Sequence, residues 1–277
     1  MKTIGFSSMI IFLCLAPDVM GQSISDATDE YECIYEYQVK NDKGSSDATS
    51  TILQIGRNTA TFSDYTAFQR DSAIACKASE SDIQKFKAQE MRNDMFFDQS
   101  VLQNVPKGKT TVYSVITPNY YSYTEASLPI NWIFTEETDT VCGYSCQKAT
   151  GEYGGRTWTV WYSTEIPVPF GPWKLCGLPG LVLAAKDSEG IHQFTAITFR
   201  KSNVPMNIKP YANTIKTSRE QFIKAKNKFE QNPMGNIPAE SISEMTIERY
   251  EDGGHRALIN GVVLRMRPNG YVPLELK

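Results

Sequence analysis

Histidine is nearly absent from this 277-residue chain, occurring only as His192 and His255. Any Ser–His or Cys–His nucleophilic arrangement must therefore use one of those two side chains. Also missing are a Walker-type phosphate loop, an H-E-x-x-H metal helix and a glycine-rich dinucleotide fingerprint. A concentrated basic face is lacking too. The 28 Lys and Arg stand against 31 Asp and Glu, for a net charge of −3, which argues against a nucleic-acid partner. No apolar run reaches the ~20 residues that a membrane-spanning helix requires. No internal repeat, low-complexity tract or linker divides the chain.

Residues 1–21 read as a secretory signal peptide. Lys2 supplies a positive start, residues 4–16 an apolar stretch, and Val19-Met20-Gly21 a cleavage site before Gln22. Cys14 follows Leu13, where a lipid-modified cysteine needs a small residue, so lipidation is not expected. The expected protein is exported to the periplasm or beyond, soluble after cleavage, with residues 22–277 as one β-rich domain. Cys33, Cys76, Cys142, Cys146 and Cys176 survive cleavage in an oxidising compartment, which allows two disulfides and one free thiol. In one extended strand the Cα atoms of Cys142 and Cys146 would lie ~13 Å apart, beyond disulfide reach. Either Gly143-Tyr144-Ser145 bends, or each cysteine pairs elsewhere, Cys146 with Cys176 being one alternative.

Strand signals dominate. Tyr31, Cys33, Tyr35, Tyr37 and Val39 alternate with Glu32, Glu36 and Gln38, the period of a half-buried strand. Turn residues at 41–46 close it. Further strands are predicted at 50–55, 59–65, 111–116, 120–124, 132–135, 140–144, 157–163, 181–185 and 192–200. More follow around 243–250 and 257–266, with Asp252-Gly253 and Asn260-Gly261 as hairpin dipeptides. Two short helices are predicted, at 81–95 and 217–229. The second opens on a capping box of Thr217 and Glu220 and carries a stripe of Phe222, Ala225 and Phe229. The fold class expected is mostly β with two short helices. Its centre is a large curved antiparallel sheet of the open half-barrel type, similar to that of periplasmic lipoprotein carriers.

Gly177-Leu178-Pro179-Gly180-Leu181-Val182 is the most distinctive stretch. Pro179-Gly180 suits the two central positions of a type II turn, Gly180 taking positive φ, at the entrance of a strand. The hexapeptide resembles the one that names the GLPGLI family of secreted bacterial proteins. Gly143-Tyr144-Ser145-Cys146-Gln147-Lys148-Ala149, Gly155-Arg156-Thr157-Trp158, Trp161-Tyr162 and Gly171-Pro172-Trp173 extend that resemblance over residues 141–200. Leu53-Gln54-Ile55-Gly56 and Phe62-Ser63-Asp64-Tyr65 are similar more loosely. The resemblance implies a secreted β-rich protein without a settled reaction. Family members are often encoded beside outer-membrane active-transport receptors, which implies an accessory or assembly role.

The chemistry-bearing candidates are few. Gly143-Tyr144-Ser145-Cys146-Gln147 begins like a nucleophile elbow but ends in Gln147 and precedes no helix. Glu251, Asp252 and His255 could gather around a metal, but a charged hairpin tip accounts for them better, so no metal or cofactor is expected. His192 alternates with Phe194 as an ordinary strand residue. Trp158, Trp161, Tyr162 and Trp173 form an aromatic cluster. Trp158 and Trp161 point to opposite faces of a regular strand, so one of them can line a ligand platform. The function expected is therefore a non-catalytic envelope protein binding an apolar small molecule or a protein partner through these aromatics. The alternative is an enzyme, either a hydrolase with a carboxylate pair or a thiol oxidoreductase using Cys142 and Cys146.

Overall fold

The computed structural model describes residues 31–40, 44, 46–92, 95–202, 206, 213–249, 255–265 and 270–276. The signal segment and the Glu251–Asp252 tip lie outside the described residues. Strands β1 (Tyr31–Lys40), β2 (Ser46–Ile55) and β3 (Ala60–Asp64) lead into helices α1 (Tyr65–Ala75) and α2 (Glu80–Arg92). Then come β4 (Gln99–Gln103), β5 (Lys109–Ile116), β6 (Asn119–Ala126), β7 (Ile133–Val141), β8 (Tyr144–Tyr153) and β9 (Arg156–Ser163). After a long connection follow β10 (Leu181–Asp187), β11 (His192–Lys201), β12 (Ile215–Lys216) and helix α3 (Arg219–Gln231). Three short strands, β13 (Met245–Arg249), β14 (His255–Ile259) and β15 (Val262–Val263), make a separate sheet.

The main sheet has twelve strands in the order β12-β6-β5-β4-β3-β2-β1-β11-β10-β9-β8-β7. Neighbours are antiparallel except for β12 on β6, and β7 and β12 do not meet, so the sheet is open. It is also strongly curved. Eight strand spacings separate β6 from β9, about 38 Å on a flat sheet. Yet Lys174 touches Tyr123 of β6 while its neighbour Trp173 packs on Trp158 of β9. Only a sheet curled around one interior brings those strands together. The alternation in β1 sets which residues face that interior. Tyr37 opposes Phe194 and Thr49, and Leu53 opposes Phe62, so Tyr35, Tyr37, Phe62 and Phe194 form one aromatic layer, Tyr37 stacked on Phe194 and Phe62 edge-on to Tyr35 and Phe194.

Several boundaries differ from the sequence reading. The strand expected at 59–65 stops at Asp64, which caps a third helix, α1, by accepting from the Ala67 amide at 3.0 Å. A carboxylate cap outweighs the strand preference of the preceding residues. Strand β4 is an addition to the expected set. The separate strands expected at 132–135 and 140–144 are one strand, β7, with a bulge between Phe134 and Thr138. Cys142 and Gly143, both at positive φ, then turn the chain into β8, as a two-residue hairpin demands. In α3 the cap is Ser218, which accepts from the Gln221 amide, not Thr217. The buried stripe is Phe222, Lys226 and Phe229, and Ala225 is exposed. Asn260-Gly261 turns between β14 and β15 with both φ positive, as expected.

Candidate functional site

Gly171 to Val182, the distinctive stretch, is folded as an inner layer of the half-barrel. The Gln103 side-chain amide donates to the carbonyls of Gly171, at 3.0 Å, and Trp173, at 2.7 Å. Tyr35 donates its hydroxyl to the Val182 carbonyl, and Trp132 its indole N–H to that of Cys176. Gly180 does not have positive φ, so the type II turn is corrected. A Cβ there would lie 2.0 Å from the Ser163 carbonyl oxygen, and this contact requires glycine. The left-handed positions are Trp173 and Gly177, at φ 56° and 91°.

The four aromatics of the expected platform do not open onto one surface. Trp158 and Trp173 are fully buried with ring centroids 5.8 Å apart. Tyr162 is buried and donates its hydroxyl to Gln147, while Trp161 is half-buried. As spacing indicated, Trp158 and Trp161 fall on opposite faces of β9. The buried partner of Trp173 is Lys174, whose ammonium meets Glu125 at 2.6 Å, Glu275 at 2.7 Å and the Tyr123 hydroxyl at 3.0 Å. This cluster ties the C-terminal segment into the interior. Arg156 adds bonds to the carbonyls of Pro273 and Leu274, and to Asp187 at 2.6 Å. His192 Nε2 lies 3.3 Å from the Pro273 carbonyl, so it carries the proton, and Nδ1 accepts from Tyr37 at 2.8 Å. Burial, then the nearby Arg156 guanidinium, pushes the His192 pKa down to about 4.

The five cysteines carry free thiols, so the expected disulfides are absent among the described residues. Cys142 sits in the hairpin turn and Cys146 within β8. Burial raises the Cys146 thiol pKa, the opposite of what a redox nucleophile requires. No group of three or more His, Cys, Asp and Glu poised for a metal occurs among the described residues.

A cavity of about 410 Å³ lies elsewhere, between α1, the segment leading into β4, the sheet at β3 to β5, the end of α3, and β15 with the residues after it. Its size falls within the ~300–1,000 Å³ of small-ligand sites. Phe68, Phe96, Tyr113 and Tyr120 supply ring surface. On one wall Glu90 is gripped by two guanidiniums. Arg70 Nη1 reaches both its oxygens, at 2.8 and 2.6 Å, and Arg265 reaches one at 2.8 Å. Arg70 also pairs with Asp71, and Arg265 lies over the Phe96 ring at 4.5 Å. At the other end Lys226 bridges Asp98 and Glu230, each at 2.7 Å. Asp64 is buried between them and accepts from Ala67, Phe97 and Thr49. Burial pushes its pKa above the ordinary carboxylate value, against the pull of the two backbone amides.

None of these lining residues stands out in the sequence as a ligand contact. They are gathered from positions 54 to 265, and local periodicity carries no signal for that convergence. The one local cue is a strand ending in Asp, the mark of a helix cap.

No known family profile and no curated protein matches this chain in sequence. Among solved structures, PNGF-II in its P21 crystal form superposes with a TM-score of 0.51 at 17% identity, covering 81% of this chain and 39% of that one. Its C2 form gives 0.49 at 18% identity over the same shares. An uncharacterised conserved protein from Thermus thermophilus gives 0.35 at 6% identity, over 69% of this chain and 91% of that one. The chain thus spans about two fifths of the PNGF-II length. At this identity the likeness to PNGF-II is one of fold: a large open, mostly antiparallel sheet.

Proposed function

We propose that this protein is an exported, non-catalytic binding protein that takes a small molecule into the cavity beside α1. One observation carries the reading. Five separate parts of the chain converge on a 410 Å³ space whose charged side chains are already fixed in ion pairs before any ligand arrives. Such preorganisation lowers the cost of binding. Export rests on the signal-type sequence of residues 1–21, and an accessory role at the envelope on the resemblance to the GLPGLI family. The site moves from the Trp158–Trp173 cluster to the cavity, and the ligand from purely apolar to one with polar groups.

Native mass spectrometry of the protein purified from its own envelope, without refolding, tests this. A co-purifying small-molecule mass is expected, and Leu102→Trp or Ala67→Leu, each filling the cavity, should remove it. A clean apo mass in the unmodified protein would sink the reading and shift weight to a protein partner.

A second reading, a carboxylate-dependent hydrolase, draws on Asp64 and Glu90 sharing this cavity and on the raised pKa of Asp64. Both groups, however, are already occupied. Asp64 accepts the Ala67 amide as a helix cap and the Phe97 amide from the segment before β4, and Glu90 is locked between two arginines. A hydrolase would lose turnover with Asp64→Asn; a binding protein has none to lose.

A further inference from the structure

We infer that the ligand of this cavity is a neutral, multiply hydroxylated molecule, a sugar or related polyol of one or two rings; the inference rests on the binding reading above. The charges in the lining decide the class. The accessible wall carries Arg70, Arg265 and Asp71, with side chains 20%, 28% and 36% exposed, set around the buried Glu90. Two cations face two carboxylates there, and a third carboxylate, Asp64, is 7% exposed and turned onto the Ala67 and Phe97 amides, so the accessible wall presents no net charge for an ionic ligand to neutralise. At the lysine end the extra carboxylate is withdrawn: the side chains of Lys226, Glu230 and Asp98 are 7%, 4% and 14% exposed. An ammonium ligand therefore gains little there.

An apolar ligand fares worse. It would strip water from Arg70, Arg265 and Asp71 and return no hydrogen bond to any group so stranded. A hydroxyl both donates and accepts, so a polyol can bond carboxylate and guanidinium on the same wall. A second observation points the same way. The side-chain oxygen of Gln99, in the lining, is buried and has no hydrogen-bond partner among the described residues. It is an acceptor awaiting a donor, which a hydroxyl supplies and a hydrocarbon does not. The ring faces of Tyr113 and Phe68 offer the flat apolar surface against which the C–H face of a sugar ring packs.

The test is calorimetry on the full mature chain with maltose, cellobiose, palmitate and spermine, repeated on Gln99→Leu and on Tyr113→Ala. Expected is binding of at least one disaccharide with Kd below ~1 mM, weakened about tenfold by Gln99→Leu. Binding of palmitate or spermine that the two variants weaken, with both sugars silent, overturns the ligand class and leaves the binding reading standing. Sugar binding untouched by both variants places the site elsewhere and overturns the inference. Silence from all four compounds overturns the inference, and with an apo mass for the native protein it overturns the binding reading as well.

Discussion

A Cβ placed on Gly180 would stand 2.0 Å from the backbone oxygen of Ser163, the last residue of β9. No flexible side chain can yield to relieve that overlap, because the Ser163 carbonyl belongs to the backbone at the end of β9 and Gly180 sits immediately before β10. Gly180→Ala is expected to cost about 3 kcal/mol, from the displacement of β10 against β9. Gly177→Ala separates sterics from conformation. Gly177 has φ 91° and open space around its missing Cβ, so the cost there is about 1 kcal/mol of backbone strain alone. Urea unfolding of both variants checks this, and equal losses would refute the contact explanation.

Lys174 is expected to hold the C-terminal segment in place. Its ammonium is 1% exposed and lies between Glu125 and Glu275, while Leu276 donates its amide to the Gly154 carbonyl nearby. Lys174→Met leaves two carboxylates sharing only Arg219, at 3.3 and 3.5 Å. Loss of one partner from a buried charge cluster costs about 3 kcal/mol. The variant should lower the urea midpoint and speed trimming of the tail by carboxypeptidase. Trimming at the wild-type rate would mean that Arg156 and His192 suffice to anchor it.

The sheet was legible in the sequence because its strands alternate. Tyr31 to Val39 put one set of side chains inward, and the register of β1 with β2 follows that parity, while that with β11 shifts by one residue between Ile34 and Tyr35. Helix α1 was hidden behind Asp64, since a strand running into its own cap leaves no loop to mark the boundary. The glycine of the hexapeptide was legible as a constraint, but its cause was not. Local turn rules know nothing of Ser163, which sits 17 positions earlier. Of the aromatics expected to cluster, Trp158 and Trp173 pack together, and spacing could not reveal that Trp173 folds back onto Trp158 rather than outward. The cavity depends on long-range convergence, with Glu90 and Arg265 meeting 175 positions apart.

Thiol titration of residues 22–277 should find five cysteine thiols after denaturation, from Cys33, Cys76, Cys142, Cys146 and Cys176. In the native state a single fast thiol is expected, the exposed Cys76. Burial pushes the pKa of Cys176 up to about 11 and raises that of Cys33 further, which holds both as unreactive thiols. Three or fewer thiols after denaturation would show that at least one disulfide forms among them.

His192 makes folding sensitive to acid in a defined window. Its folded pKa of about 4 lies below the ordinary 6.5, so the unfolded chain binds the proton more readily. The sign follows: stability is undiminished by this group above pH 6.5, falls as pH drops, and the loss is complete below about 4. At ~1.36 kcal/mol per pH unit the full effect is about 3 kcal/mol. The geometry gives the reason. A second proton on Nδ1 would face the hydroxyl that Tyr37 now donates, within a pocket that also holds the Arg156 charge. Asp64 acts in the opposite sense, its raised pKa favouring the folded state at lower pH, so the two effects partly offset in the wild type. Comparison with His192→Gln isolates the histidine. The variant should be less stable than wild type at pH 7, for want of the imidazole's hydrogen bonds, yet lose less stability on going from pH 7 to 4. Parallel pH profiles for the two proteins would mean that the folded and unfolded chains hold the His192 proton equally tightly, and that burial does not depress its pKa.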